Sequence, residues 1–238
     1  MKHATGPAIH AVHPWDPGNP EKGERHQLLS DDERARLAKI AQIVRFAKGQ
    51  EIYGEGAVAD AAFNIIDGVV VAYRAEHVIS FLYPGDLFGL SEEGQYANAT
   101  RAATPVTAYK MPLAAIRRIL ANNADLDVNL IIKLCEELRE AQRHAVLLAQ
   151  RRAATRLAMF LGLQEHLQAA RGESISEIHL QMDRSSIAAY LGLTTAALSR
   201  AFRALISRKI ITSRNLHFVK VVDRDSFVRL ADARPDGN

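Results

Sequence analysis

A single helical stripe sets the terms for the rest of the chain. Between residues 124 and 150, Ile131, Leu134, Leu138, Ala141, Ala145 and Leu148 recur at spacings of 3, 4, 3, 4 and 3. That is the a/d pattern of a heptad repeat. The stripe is narrower than the face by which a helix packs on a broad core, and its small members Ala141 and Ala145 let two backbones approach closely. The pattern predicts a long helix that zips two chains together, with packing against the chain's own preceding domain as the competing reading. Cys135, the sole cysteine, flanks the stripe and is expected to be a small, at least half-buried apolar residue. One cysteine excludes an internal disulfide, a four-thiolate iron–sulfur cluster and a structural thiolate zinc site within one chain.

The segments on the two sides of this helix differ in kind. Residues 1–27 are polar and rich in Pro and Gly, with no apolar centre of a signal peptide, and read as a flexible arm. Residues 28–40 fit a short helix capped by Ser30 or Asp31. From 43 to 112, short β-branched or aromatic runs such as "IVRF", "FNII", "VVVAYR" and "VISFLY" alternate with turn sequences such as "AKGQ", "DG" and "PGD". This predicts a small antiparallel barrel or jelly roll, followed by a short helix over 113–121.

After the stripe, a helix is expected over 153–169 with Leu157, Phe160, Leu161 and Leu163 as its apolar part. Asp183 or Ser185 can cap the helix "RSSIAAYLG", whose inner face is Ile187, Ala188 and Leu191. Gly192 closes it. Thr194 then caps "TAALSRAFRALISR", with Ala197, Leu198, Ala201, Phe202 and Leu205 inward and Thr195, Ala196, Ser199, Arg200 and Arg203 outward. "KIITSRNLHFVKVV" supplies a hairpin with Arg214 at its tip. Helix, glycine turn, capped helix and basic hairpin make a winged helix–turn–helix, in which the second helix enters the major groove and the wing grips phosphate. Arg200 is the residue best suited to read a base, since a guanidinium bonds two acceptors on a guanine edge. Ser199 can reach a base or a phosphate. Arg184, Ser185, Thr194 and Thr195 lie at helix starts, where backbone N–H groups also face anions; Arg203 is a backbone contact or a solvated charge.

Charge placement agrees. Residues 1–150 hold 16 Lys/Arg and 19 Asp/Glu, whereas residues 151–238 hold 14 and 8. A basic C-terminal third suits a polyanion partner. The domains expected are thus an arm (1–27), a β-roll domain (28–121), a dimerisation helix (122–151) and a winged DNA-binding domain (152–238), an α+β architecture. No serine/histidine/aspartate, paired-carboxylate or metal-ligand spacing stands out, so an enzyme is not expected; Glu92 and Glu93 would point opposite ways in an extended segment. No apolar run is long enough to cross a bilayer, and a cytoplasmic protein is expected.

Over residues 28–230 the chain resembles the CRP/FNR family of bacterial transcription regulators. "MDRSSIAAYLGLTTAALSRAF" is similar to the FNR/FixK-type helix–turn–helix signature, and "KGQEIYGEGAVADAAFNIIDGVVVAY" with "LYPGDLFGL" to the glycine-marked turns of the family's cyclic-nucleotide-binding-like β-roll. The resemblance implies a homodimer that binds an inverted repeat of double-stranded DNA and recruits or blocks RNA polymerase. It also marks three departures. Ala196 stands where such relatives carry a glutamate that accepts from cytosine, so one base pair of the half-site is expected to differ or relax. In the effector region, Phe88, Gly89, Leu90, Tyr96 and Ala97 occupy the stretch in which cyclic-AMP-binding relatives hold the ligand. Gly89 is followed by Leu90 rather than glutamate, and Tyr96-Ala97 replaces the phosphate-binding Arg-Ser, so cyclic AMP is not expected. The cysteine set of oxygen-sensing FNR is missing as well. No cofactor is predicted. Histidines in the arm (His3, His10, His13, His26) and His77 leave heme, a gas or redox sensor's ligand, as an alternative, alongside a small aromatic ligand and a ligand-binding module without DNA function.

Overall fold

The computed structural model describes residues 41–75, 77–91, 94–120 and 124–232; side chains of 119, 120, 124–134, 136 and 137 fall outside the described set. The N-terminal domain is two four-stranded antiparallel sheets, as the alternation of short apolar runs and turns predicts. One has the order β1 (Gln42–Phe46), β8 (Val106–Pro112), β3 (Ala61–Asp67), β6 (Leu87–Phe88). The other has β2 (Glu51–Tyr53), β7 (Ala99–Ala102), β4 (Val70–Arg74), β5 (His77–Leu82). The chain crosses from one sheet to the other at Asp67-Gly68. There Gly68 has φ +93°, and a Cβ would sit 2.2 Å from the Pro105 carbonyl oxygen, so no other residue fits. Inward residues Ile65, Val70, Ala102, Val106 and Ala108 fill the roll between the sheets. Helix α1 (Leu113–Leu120) closes one side through Leu113 and Ile116, packed with Ala62 and Met111.

Helix α2 (Ala124–Ala149) comes next. Its two faces have different fates. Leu147 is buried and His144 half-buried against the chain's own domains, whereas Leu138, Ala141, Ala145 and Leu148 are exposed, Leu138 by 59% and Leu148 by 39%. The described part of the heptad stripe therefore does not pack on its own barrel. Ile131 and Leu134 lie outside the described side chains. Cys135 is exposed, not half-buried. It precedes His144 by nine residues, about two and a half helical turns, which turns it away from the face that meets the rest of the chain.

Helix α3 (Ala153–Ala170) is the axle of the C-terminal domain. Leu157, Ala158, Met159, Phe160 and Leu161 are all buried, and Leu163 half-buried. A helix buried right round has neighbours on every side. These are the helix–turn–helix, the C-terminal helix, the wing sheet and, beyond sequence expectation, the β-roll itself. One apolar core runs without a break from Val69, Val71, Val78, Phe81 and Tyr83 of the roll into Phe160, Ile187, Tyr190 and Leu191. Tyr83 Oη donates to Gln164 Oε1 at 2.6 Å. The Tyr190 ring stacks on His144 at 4.0 Å and meets Phe81 at 5.2 Å and Phe160 at 5.6 Å.

Candidate nucleic-acid interface

The two helices of the helix–turn–helix form for reasons readable residue by residue. Helix α4 (Arg184–Tyr190) is capped by Asp183, whose Oδ1 accepts from the Ser186 N–H at 2.7 Å. The Ser185 hydroxyl donates to the same oxygen at 2.7 Å. Partial burial pushes the Asp183 carboxyl up, but the hydrogen bonds from Ser186 and Ser185 outweigh it and hold the group below its ordinary range. Ile187, Ala188 and Leu191 are buried as expected, and Tyr190 joins them. Gly192 makes the turn at φ +61°, where a Cβ would press on Leu148 and Arg156 at 3.2 and 3.3 Å. Helix α5 (Thr195–Ser207) then starts from Thr194, whose Oγ1 accepts from the Ala197 N–H at 3.1 Å.

The faces of α5 divide as its 3.6-residue period dictates. Leu198, Ala201, Phe202 and Leu205 are buried and Ala197 is half-buried, whereas Thr195, Ala196, Ser199, Arg200 and Arg203 are exposed. Among the described residues, neither Arg200 nor Arg203 forms an ion pair. Their charges are thus available to an anion or a base edge. The Ser199 hydroxyl donates to the Thr195 carbonyl at 2.9 Å, the back-bond usual for a serine within a helix.

Two other predicted contacts are placed less freely. The Arg184 guanidinium lies 3.6 Å from the centre of the Phe202 ring, and burial pulls its pKa below the ordinary value. Its Nη1 is buried with no hydrogen-bond partner among the described residues. At the wing, β10 (Ile211–Ser213) pairs with β11 (Phe218–Val221), and β11 with a short β9 (Ile178–His179) that the sequence pattern had not indicated. Arg214 is at the hairpin turn, but Nη2 already pairs with Glu177 Oε2 at 3.3 Å, and its guanidinium covers Phe218. Asn215 Oδ1 accepts from the N–H groups of His217 and Phe218, which stiffens the turn. Helix α6 (Arg224–Ala231), capped by Asp223, buries Phe227 and Ala231 against α3 and completes the domain.

The effector region of the β-roll has the opposite character. Phe88, Gly89 and Tyr96 come together inside it, but Leu90 and Ala97 are exposed. Tyr96 stacks face to face on Tyr53 at 3.7 Å, and Tyr53, Phe63, Phe88 and Phe46 continue the cluster at 5.3–6.2 Å. The Tyr96 hydroxyl donates to the Ala61 carbonyl at 2.7 Å and accepts from the Ala61 N–H at 3.3 Å. Gly89 is in the left-handed region at φ +82°, with the Tyr96 ring 3.3 Å from where a Cβ would stand. Burial drives the Tyr53 and Tyr96 phenols above their ordinary range. Sequence reasoning missed Phe46, Tyr53 and Phe63. His77 is exposed on β5. His3, His10, His13 and His26, like Glu92 and Glu93, lie outside the described residues.

Comparison with known proteins finds both halves. Residues 43–123 match the cyclic nucleotide-binding domain and residues 155–230 the Crp-like helix-turn-helix domain. The chain is 31% identical over 183 residues to the nitrogen fixation regulation protein FixK of Bradyrhizobium diazoefficiens, covering 74% of this chain and 77% of that one. The chain belongs to the CRP/FNR family. As a CRP/FNR protein it is a DNA-binding transcription regulator, and its family is one of regulators rather than enzymes. It is also 29% identical to the transcriptional activatory protein AadR of Rhodopseudomonas palustris, over 86% of this chain and 87% of the relative. Among solved structures, FixK2 from Bradyrhizobium japonicum superposes with a TM-score of 0.74 and 26% identity, over 82% of this chain and 98% of that one. A CooA mutant from Carboxydothermus hydrogenoformans shares the fold at 0.69 and 19% identity, over 85% and 93%. No helix among the described residues is long and apolar enough to cross a membrane.

Proposed function

We propose that two copies of this chain join along α2 and set their α5 helices into successive major grooves of an inverted repeat, about 34 Å apart. The observation that carries the reading is the outward face of α5: Arg200 and Arg203, exposed and without ion pairs among the described residues, sit beside Thr195, Ala196 and Ser199. The exposed stripe of Leu138, Ala141, Ala145 and Leu148 supports the pairing, since a seam of leucines and alanines on a polar helix is stable only when covered. Arg200 reads guanine; Thr194, Thr195 and Arg203 serve phosphate positioning, with Arg214 joining them by exchanging Glu177 for a phosphate, whereas Arg184 and Ser185 stay engaged with Phe202 and Asp183 and support the helix start. The bound dimer acts on RNA polymerase at promoters in the cytoplasm.

We further propose that this β-roll takes no cyclic nucleotide. The packed Tyr53, Phe63, Phe88 and Tyr96 rings support this, and so does Tyr96-Ala97, a pair without a cation to hold a phosphate. Two measurements test the function. Arg200→Ala, in a gel-shift competition between an inverted-repeat site and scrambled DNA, is expected to lose about 1–3 kcal/mol of discrimination per half-site; unaltered preference would refute its role. Leu138→Glu with Ala145→Glu is expected to give monomers by light scattering; an unchanged dimer mass would refute the seam.

A further inference from the structure

Arg156 lies in the first turn of α3, where a cation opposes the dipole of its own helix. What it holds explains the placement. Its Nε donates to the Gln150 carbonyl at 2.8 Å. Its Nη1 donates to the Leu191 carbonyl at 2.9 Å and to the Gly192 carbonyl at 3.3 Å. Gln150, buried, is the residue that follows α2. Leu191 and Gly192 end α4 and open the turn to α5. One guanidinium thus serves the carbonyl ends of two helices, where partial negative charge gathers. A second tie runs beside it: His144 Nε2 of α2 donates to the Tyr190 carbonyl at 2.7 Å. The successive carbonyls of Tyr190, Leu191 and Gly192 are therefore held by α2 and α3, just ahead of Thr194, which caps α5.

We infer, resting on the pairing along α2 proposed above, that Arg156 is a positioning residue: it fixes how far apart the two α5 helices of a dimer stand, and hence which half-site separation the protein accepts. Half-site centres about 34 Å apart put each α5 about 17 Å from the dyad. A swing of about 10° at the end of α2 then moves α5 by about 3 Å, close to one base-pair step. Arg156 need touch neither base nor phosphate for this. It acts by holding the turn before α5 to the end of the helix that joins the chains.

The test uses the purified full chain and an inverted repeat that it enriches from random duplex DNA. Gel shifts compare that site with versions whose half-sites stand one or two base pairs nearer or farther apart. The unsubstituted protein is expected to prefer one separation sharply. In Arg156→Gln that preference should shrink about tenfold, the worth of one hydrogen bond to a charged group. Arg156→Lys keeps the charge but not the planar fork, so its preference should flatten as well; this milder variant carries the test if Arg156→Gln does not fold. Val219→Ala weakens the core of the wing away from the turn and should keep the sharp preference. An unchanged preference in folded Arg156→Gln overturns the inference. Full recovery in Arg156→Lys would do the same, by showing that charge alone matters. Equal flattening in Val219→Ala would also overturn it, by showing that separation reports stability. Equal binding of every separation by the unsubstituted protein would instead overturn the paired-helix reading and this inference with it.

Discussion

The inside of the β-roll and the outside of α5 are built from contrary rules. In the roll, residues of the effector region turn inward onto one another: Tyr96 is 4% exposed, stacked on Tyr53 and hydrogen-bonded through its hydroxyl to Ala61. On α5, Thr195, Ala196, Ser199, Arg200 and Arg203 face out. A helix propped on its buried Leu198, Phe202 and Leu205 can keep that face free because the fold does not need it. The difference teaches where this chain keeps its capacity to recognise a partner. The aromatic rings inside the roll pack on one another, whereas the outward face of α5 is left open to a partner.

The contrast can be broken first at the roll. Tyr96→Ala removes a ring that touches Tyr53, Ala61 and Gly89, and is expected to cost about 3–5 kcal/mol in denaturant unfolding. A loss under about 1 kcal/mol would show that the rings are not core. The link between the two regions is tested next. Tyr83→Phe leaves the Gln164 Oε1 without its 2.6 Å donor in a buried seam, and a loss of about 1–3 kcal/mol is expected by the same assay. On α5, Thr194→Ala removes the cap of the recognition helix and is expected to cost about 1 kcal/mol.

The smallest effect is one of pH. Burial lowers the His144 pKa below 6.5, opposed by its hydrogen bond to the Tyr190 carbonyl. A histidine with a folded pKa below its unfolded value resists a proton that the unfolded chain accepts. Its contribution is complete above about pH 6.5 and declines as pH falls through that value toward the folded pKa. His144→Phe keeps the stack on Tyr190 without titrating, so the variant should lose part of the slope of stability against pH below 6.5. Equal slopes in the two proteins would contradict the assignment.

The winged domain was largely legible in the sequence, because its logic is local. Asp183, Gly192 and Thr194 act on their immediate neighbours, and the inward and outward sets of α5 obey one helical period. The long helix that carries the heptad stripe was legible for the same reason, and the described stripe residues Leu138, Ala141, Ala145 and Leu148 face outward on it. The interior of the roll was legible only in part. Phe88, Gly89 and Tyr96 belong to one short stretch, but Phe46, Tyr53 and Phe63 reach it from strands that no local period connects. Leu90 and Ala97, near neighbours of interior residues in sequence, turn outward where the backbone leaves the sheets. The seam between roll and winged domain was not legible at all: Tyr83 and Gln164 are 81 residues apart. The two residues of β9 are too few to show an alternation.

The central claim is that paired chains present two α5 helices to one face of a duplex. Selection of binding sites from random DNA by the purified protein, without added ligand, tests it most directly. The account predicts enrichment of an inverted repeat, with half-site centres about one helical turn apart and a guanine in each half-site. Enrichment of single or directly repeated half-sites, or no enrichment, would contradict it.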